Sequence, residues 1–244
     1  MTKSLVTFFA ILVTLSANAC SKDNTQDSVY LKAELDKLYQ AAVTDAITAD
    51  SSEICDTLWA INSDNLKLEW KIINNQKYVM ACNFNQYPSS YSDTSVINSW
   101  GEIWIFIPAQ FKSRMTSTPT PDHDTLLRMR QMFGLPPQNS NKYIVELWVK
   151  PGDLYRPAAD PQIDDNTAGL YLQANTDPDY VKWFNQNIYN SYLGSGTRYP
   201  WTRLGYTFDW ANSASEVGVS ELCIKRNSTL YVKKLSLATN YLKN

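Results

Sequence analysis

The sequence predicts an α+β domain with a mainly antiparallel sheet, on three observations. Strand-like runs come in groups, with helical runs scattered between them and no βαβ rhythm. Two helices carry clear terminal signals: Asp177-Pro178 starts one, and Gly134 followed by Pro136-Pro137 stops another. Glycine is scarce, 8 in 244 residues, which argues against Gly-rich phosphate loops and glycine-dependent repeats. The length suits one large domain or two small ones, and 44% hydrophobic with 19% charged residues is an ordinary globular balance.

The chain opens with one positive charge at Lys3 and an apolar run from Leu5 to Leu15. That run has the length of a signal-peptide core and is too short to span a bilayer. Small residues at Ala17 and Ala19, then Cys20, resemble the lipobox of bacterial lipoproteins, in which the cysteine is lipidated and becomes the first mature residue. The expected division is therefore a signal peptide over 1–19, a polar tether over 20–28 and a single domain over 29–244. Within the domain, Val29, Leu31, Leu35, Leu38, Tyr39, Ala42 and Ala46 recur at helical spacing. Residues 66–73 and 77–84 alternate around Asn74-Asn75, a hairpin signal. Residues 85–99 read as a long polar loop. Strands are expected over 102–108 and 143–149. Helices are expected over 109–115, 124–133 and from Pro178 to Tyr192. Residues 216–226 and 229–237 read as two strands of a C-terminal hairpin turned at Asn227-Ser228.

Net charge is −2, and no lysine-rich run is present, so the electrostatic footprint of nucleic-acid binding is missing. His123 is the sole histidine, in a Pro-rich stretch, and the chain has no CxxC pair. Metal ligation and Ser–His–Asp or Cys–His catalysis thus have almost nothing to draw on. No cofactor and no metal are expected. With Cys20 lipidated, Cys55, Cys82 and Cys223 remain. Cys82 and Cys223 sit in apolar strand-like runs and read as buried core thiols.

The densest gathering of rings and charges is Tyr199–Lys225, YPWTRLGYTFDWANSASEVGVSELCIK. Tyr199, Trp201, Tyr206, Phe208 and Trp210 alternate, so one set can line the core and the other a groove. Arg156 with Asp160, and Arg203 with Asp209, read as structural ion pairs. The expected binding residues are Arg156, Arg203, Tyr206, Asp209 and Trp210, with Glu221 as the candidate catalytic carboxylate. Arg203, Asp209 and Glu221 are expected to lie together.

The blocks RMRQMFGLPP, YIVELWVKPGDLYRPAADPQI, WFNQ and YPWTRLGYTFDW…EVGVSEL resemble a family of uncharacterised exported or lipid-anchored bacterial proteins, over about residues 124–226. That resemblance implies a single exported domain. Gly218-Val219-Ser220-Glu221 also resembles the acidic strand of ADP-ribosyltransferase-like and NAD-hydrolysing folds. It departs from them in lacking a Ser-Thr-Ser strand and in holding Val219 where a second glutamate would stand. The resemblance implies that Glu221 stabilises charge at a ribose carbon, while Arg156 or Arg203 holds phosphates and Tyr206 or Trp210 stacks the base.

These observations give an exported envelope protein, attached to a membrane through Cys20, whose aromatic-rich groove binds a glycan, peptide or nucleotide. The alternative is an enzyme acting on a nucleotide or NAD-like substrate. No nucleic-acid partner is expected.

Overall fold

The computed structural model describes residues 23–117, 124–211 and 214–242. Cys20 and His123 lie outside them. The fold is α+β, with mainly antiparallel sheets. Helix α1 spans Asp23–Asp45, so it begins within the stretch read as a tether. Strands β1 (Trp70–Ile73) and β2 (Gln76–Asn85) form the expected hairpin. Its two turn residues, Asn74 and Asn75, have φ of 49° and 60°. Two successive positive φ angles define the tight turn that matches strand twist, and asparagine tolerates them.

The stretch expected as loop carries a short strand, β3 (Ser95–Ile97). Strand β4 (Ile103–Ile105) leads into helices α2 (Pro108–Ser117) and α3 (Thr125–Met132). The Asp124 side chain accepts from Leu127 N at 2.9 Å and caps α3. Gly134, at φ 62°, ends it: Leu135 N bonds to Arg130 O and Gly134 N to Gln131 O. That pair of bonds needs a left-handed residue, and glycine adopts it without strain. Strands β5 (Tyr143–Val149) and β6 (Leu154–Tyr155) follow, then α4 (Pro178–Ile188) and a turn of π-helix over Tyr189–Leu193. The chain finishes with β7 (Tyr206–Phe208), β8 (Val217–Ser220), β9 (Leu222–Ile224), β10 (Thr229–Leu237) and α5 (Ala238–Tyr241).

A five-stranded antiparallel sheet runs β1-β2-β5-β10-β3, and a three-stranded sheet runs β4-β9-β6. Their facing sides share one core, in which Val79, Ala81, Val145 and Leu147 meet Ile103, Ile105, Leu222 and Ile224. The expected C-terminal hairpin does not form. Asn227 does turn the chain, at φ 64°, but the flanking strands part: β9 pairs with β4 and β6, whereas β10 pairs with β5 and β3. Residue β-propensity is satisfied equally in either sheet, and the facing core decides the partner.

A second core packs the helices against the end of β2, with Phe111, Met129 and Met132 fully buried around Cys82 and Phe84. A third joins α1 to the aromatic stretch, where Tyr39, Ala42, Val43 and Ala46 meet Phe184, Tyr192, Trp201, Phe208 and Trp210.

Two close contacts lock β7 and β8 onto α3. A Cβ on Gly218 would lie 2.3 Å from Thr207 Oγ1 and 2.7 Å from Met132 O, so only glycine allows this approach. Beside it, Arg128 of α3 meets Asp209 in a two-pronged ion pair, Nη1–Oδ1 at 2.9 Å and Nη2–Oδ2 at 2.5 Å. Arg128 is 1% exposed and Asp209 3% exposed. Breaking a buried pair leaves the surviving charge in low dielectric. Asp209→Ala is therefore expected to cost about 3–5 kcal/mol in urea unfolding. A cost under about 1 kcal/mol would contradict a desolvated, two-pronged pair.

Candidate functional site

The site is built on the β4–β9 ladder. Ile103 pairs with Ile224, Trp104 with Cys223 and Ile105 with Leu222. The isoleucines and Leu222 enter the core between the sheets, so alternation turns Glu102, Trp104 and Phe106 to the other side. Cys223, opposite Trp104, shares that side, and Glu221 stands two residues before it. The side opens on a cleft of about 860 Å³, and Glu102, Trp104, Phe106 and Glu221 all line it.

Rings and amides make up much of the remaining wall. Phe133 stacks on Phe111, and Phe106 tilts against both, beside the cleft that Phe106 and Phe133 line. Trp104 is supported by Trp183 of α4 at 6.5 Å and by Trp201, edge-on, at 6.2 Å. Trp100 meets Tyr91 edge-on at 6.0 Å. Among the described residues six aromatic side chains are strongly exposed, and five of them line this cleft: Tyr87, Trp100, Trp104, Tyr189 and Tyr199. Such concentration of exposed rings is uncommon on a surface with no ligand to cover them.

Seven side-chain amides join them, from β2 and the residue after it, the segment after α3, and α4 with its π turn. Asn83 is held in place: its Nδ2 donates to Trp104 O at 2.9 Å and its Oδ1 accepts from Tyr91 at 3.3 Å. Asn85 is only half satisfied. Its Oδ1 accepts from Tyr87 N, while its buried Nδ2 has no partner.

Glu221 lies where the chain leaves one sheet for another. Strand β8 pairs with β7, β9 pairs with β4, and the Glu221 N–H donates to Gly205 O at 2.9 Å between them. Part of the side chain reaches the cleft, but Oε2 is sealed and has no hydrogen-bond partner. Burial alone pushes this carboxyl well above the usual carboxylate range. Among the described residues no lysine, arginine or histidine lines the cleft, and no cluster of ligands for a metal ion is present.

Among the described residues no ion pair or hydrogen bond joins Arg203, Asp209 and Glu221, although Arg203 and Glu221 both act on Tyr192. Asp209 belongs to Arg128. Arg203, at φ 63°, donates from Nη2 to Ala46 O and Ile47 O, both at 2.9 Å, and closes the end of α1. Arg156 pairs with Asp165 at 2.5 Å, not with Asp160, and also donates to Thr167 O. Tyr206 donates to Glu53 O, and Trp210 Nε1 donates to Leu135 O. None of these five expected binding residues lines the cleft. Of the alternating rings, Tyr199, Trp201 and Phe208 do, and Glu221 alone of the expected site residues does.

Glu102, Trp104, Trp100 and the asparagines of β2 were not read as site residues from sequence. The alternation in Glu102–Phe106 carried the signal: a carboxylate and a tryptophan on the side opposite the isoleucines. Comparison with protein-family models, curated proteins and solved structures finds no match to this chain.

The cysteines are free among the described residues, with Cys82 and Cys223 buried and Cys55 partly exposed. Burial pushes the Cys82 thiol up to about 12 and the Cys223 thiol far above its usual value. Alkylation of the native protein, read peptide by peptide, is therefore expected at Cys55 before Cys82 or Cys223. Early labelling of either buried thiol would contradict the packing of β2 or β9.

A second expectation concerns pH. Glu221 has a raised pKa when folded, so its carboxyl stays neutral there after it ionises in the unfolded chain. The resulting penalty is absent below the unfolded value and grows as pH rises above it. Glu221→Gln should match the wild type in thermal unfolding at acid pH and become the more stable of the two as pH rises. A difference independent of pH would show that Oε2 is solvated.

Proposed function

We propose that the protein binds a neutral oligosaccharide in this cleft, from a position on the bacterial envelope membrane to which lipid on Cys20 holds it. The observation that carries the reading is the lining itself: five exposed rings and seven amides, with no cationic side chain among the described residues. Flat rings suit the apolar faces of sugar rings. Amides both donate and accept, as hydroxyl groups do. The cleft follows β4 from Glu102 to Phe106, roughly 13 Å of strand at the usual rise. That extent suits a short chain of sugars more than a single one.

A nucleotide or NAD-like substrate is the second reading, and the place of Glu221 in the cleft favours it. A pyrophosphate would require arginine, lysine or a cradle of backbone amides. The two arginines expected for that task bond elsewhere.

The anchor rests on the apolar run ending at Ala19-Cys20. Among the described residues no helix is long and apolar enough to cross a membrane. A lipidated amino terminus with several acyl chains holds far more firmly than one chain does. Cys20→Ser is expected to remove labelled fatty acid and release the protein from membrane fractions. Unchanged partitioning would contradict the anchor.

Binding is tested by calorimetry with hexamers of glucose (β-1,4 and α-1,4 linked) and of N-acetylglucosamine, alongside NAD. At least one hexamer should bind, and Trp104→Ala should weaken it about tenfold, the loss of one stacked ring. Binding of NAD and of no hexamer would overturn the proposal.

A further inference from the structure

Two residues that line the cleft each carry a buried polar atom with no partner among the described residues, Asn85 Nδ2 and Glu221 Oε2. They mark different ends of it. Cys82 and Phe106 bond reciprocally through their backbones, so β2 and β4 run antiparallel from there. Asn85 lies towards the Glu102 end of β4, and Glu221 lies at the Phe106 end. Buried polar groups are almost always partnered, and an exception in a cleft is a place for a ligand's own polar atom.

Two kinds of ligand group can meet Glu221. An ammonium group would pair with the ionised form. An ether, hydroxyl or carbonyl oxygen would accept from the acid form. The surroundings decide between them. Tyr192 of the π turn is one titratable neighbour and has its own hydroxyl bonded to Trp201 O. Cys223 beside it on β9 is a neutral thiol next to Tyr155. Glu102 stands beyond Trp104 on the same side of the ladder. Arg203 and Glu53 act on Tyr192, and Arg203 directs its charge to the carbonyls at the end of α1. Among the described residues no cation pairs with Glu221, and the rings around it disfavour a charge there.

We propose, resting on the oligosaccharide reading, that Glu221 recognises its ligand as a neutral carboxylic acid, donating a hydrogen bond to an uncharged oxygen of the sugar chain. Binding then depends on pH through this one group. It is strongest where the carboxyl is protonated and weakens as pH rises through the raised value, because the ionised form has no proton to donate and repels the same oxygen. The cleft in consequence discriminates against amino sugars that carry a free ammonium at this position.

The test uses the N-acetylglucosamine hexamer and its deacetylated counterpart, the glucosamine hexamer, as probes between about pH 5 and pH 9. The acetylated hexamer should bind the wild type about tenfold more weakly at the alkaline end, the loss of one buried hydrogen bond. Glu221→Gln keeps a donor and should bind it at all these pH values without that slope. Glu221→Ala should bind weakly throughout. Tighter binding of the glucosamine hexamer, or a wild-type affinity that does not change across the midpoint at which the Glu221 carboxyl itself titrates, would overturn the assignment. A carboxyl-carbon NMR titration of Glu221, assigned by its loss in Glu221→Gln, needs no ligand. An ordinary carboxylate midpoint there refutes the proposal. A raised midpoint with no hexamer bound at any pH refutes the sugar reading and this ligand for Glu221 together, while leaving the acid form itself established.

Discussion

One extended segment, Val217–Ile224, serves two sheets, and it changes partners at Glu221. Before the change it lies against β7 so closely that residue 218 has to be glycine. After it, Leu222 and Ile224 fill the main core while Cys223 backs the cleft wall. The residue at the change has its backbone held by Gly205 O, and Glu221 there lines a space walled with rings. The cleft follows from this constraint, since β4 has its Ile103 and Ile105 side committed to the core and its Trp104 side left open.

The strength of that arrangement lies outside the cleft. Arg128 and Asp209 fasten α3 to β7, Arg203 closes α1, and Arg156 gathers the loop around Asp165. Each of these arginines is a structural fastening, placed where backbone carbonyls or a carboxylate would otherwise be unmatched. The cleft itself is left without cations among the described residues. The walls present rings and amides to whatever enters, with Glu102 and Glu221 as the carboxyl groups among the described lining residues.

Local features were legible in the sequence because short-range chemistry determines them. Asn74-Asn75 could only turn a tight hairpin, and Asp124, Gly134 and Asp177 mark helix ends wherever the fold places those helices. Partner choice was not legible. Asp209 follows Arg203 by six positions, yet it pairs with Arg128, 81 residues away. Arg156 passes over nearby Asp160 for Asp165. Strands β9 and β10 are joined by a residue that does turn, yet each belongs to a different sheet. The cleft draws its wall from β2, β4, the segment after α3, the π turn and Glu221, so no single stretch of chain announced it. Tyr199–Trp210 is dense in rings, but Tyr206 and Trp210 do not line the cleft and instead hold the backbone at Glu53 and Leu135.

The central claim is that the exposed rings form one ligand surface. The eight tryptophans provide a direct measure of it, because each indole N–H gives its own nitrogen-15 resonance. On titration with the N-acetylglucosamine hexamer at acid pH, the indoles of Trp100, Trp104 and Trp201 should shift together along one binding curve. Those of Trp70 and Trp148 on the five-stranded sheet, and of Trp59 packed against the main core, should stay in place. Shifts confined to the second group, or none at saturating sugar, would contradict the account.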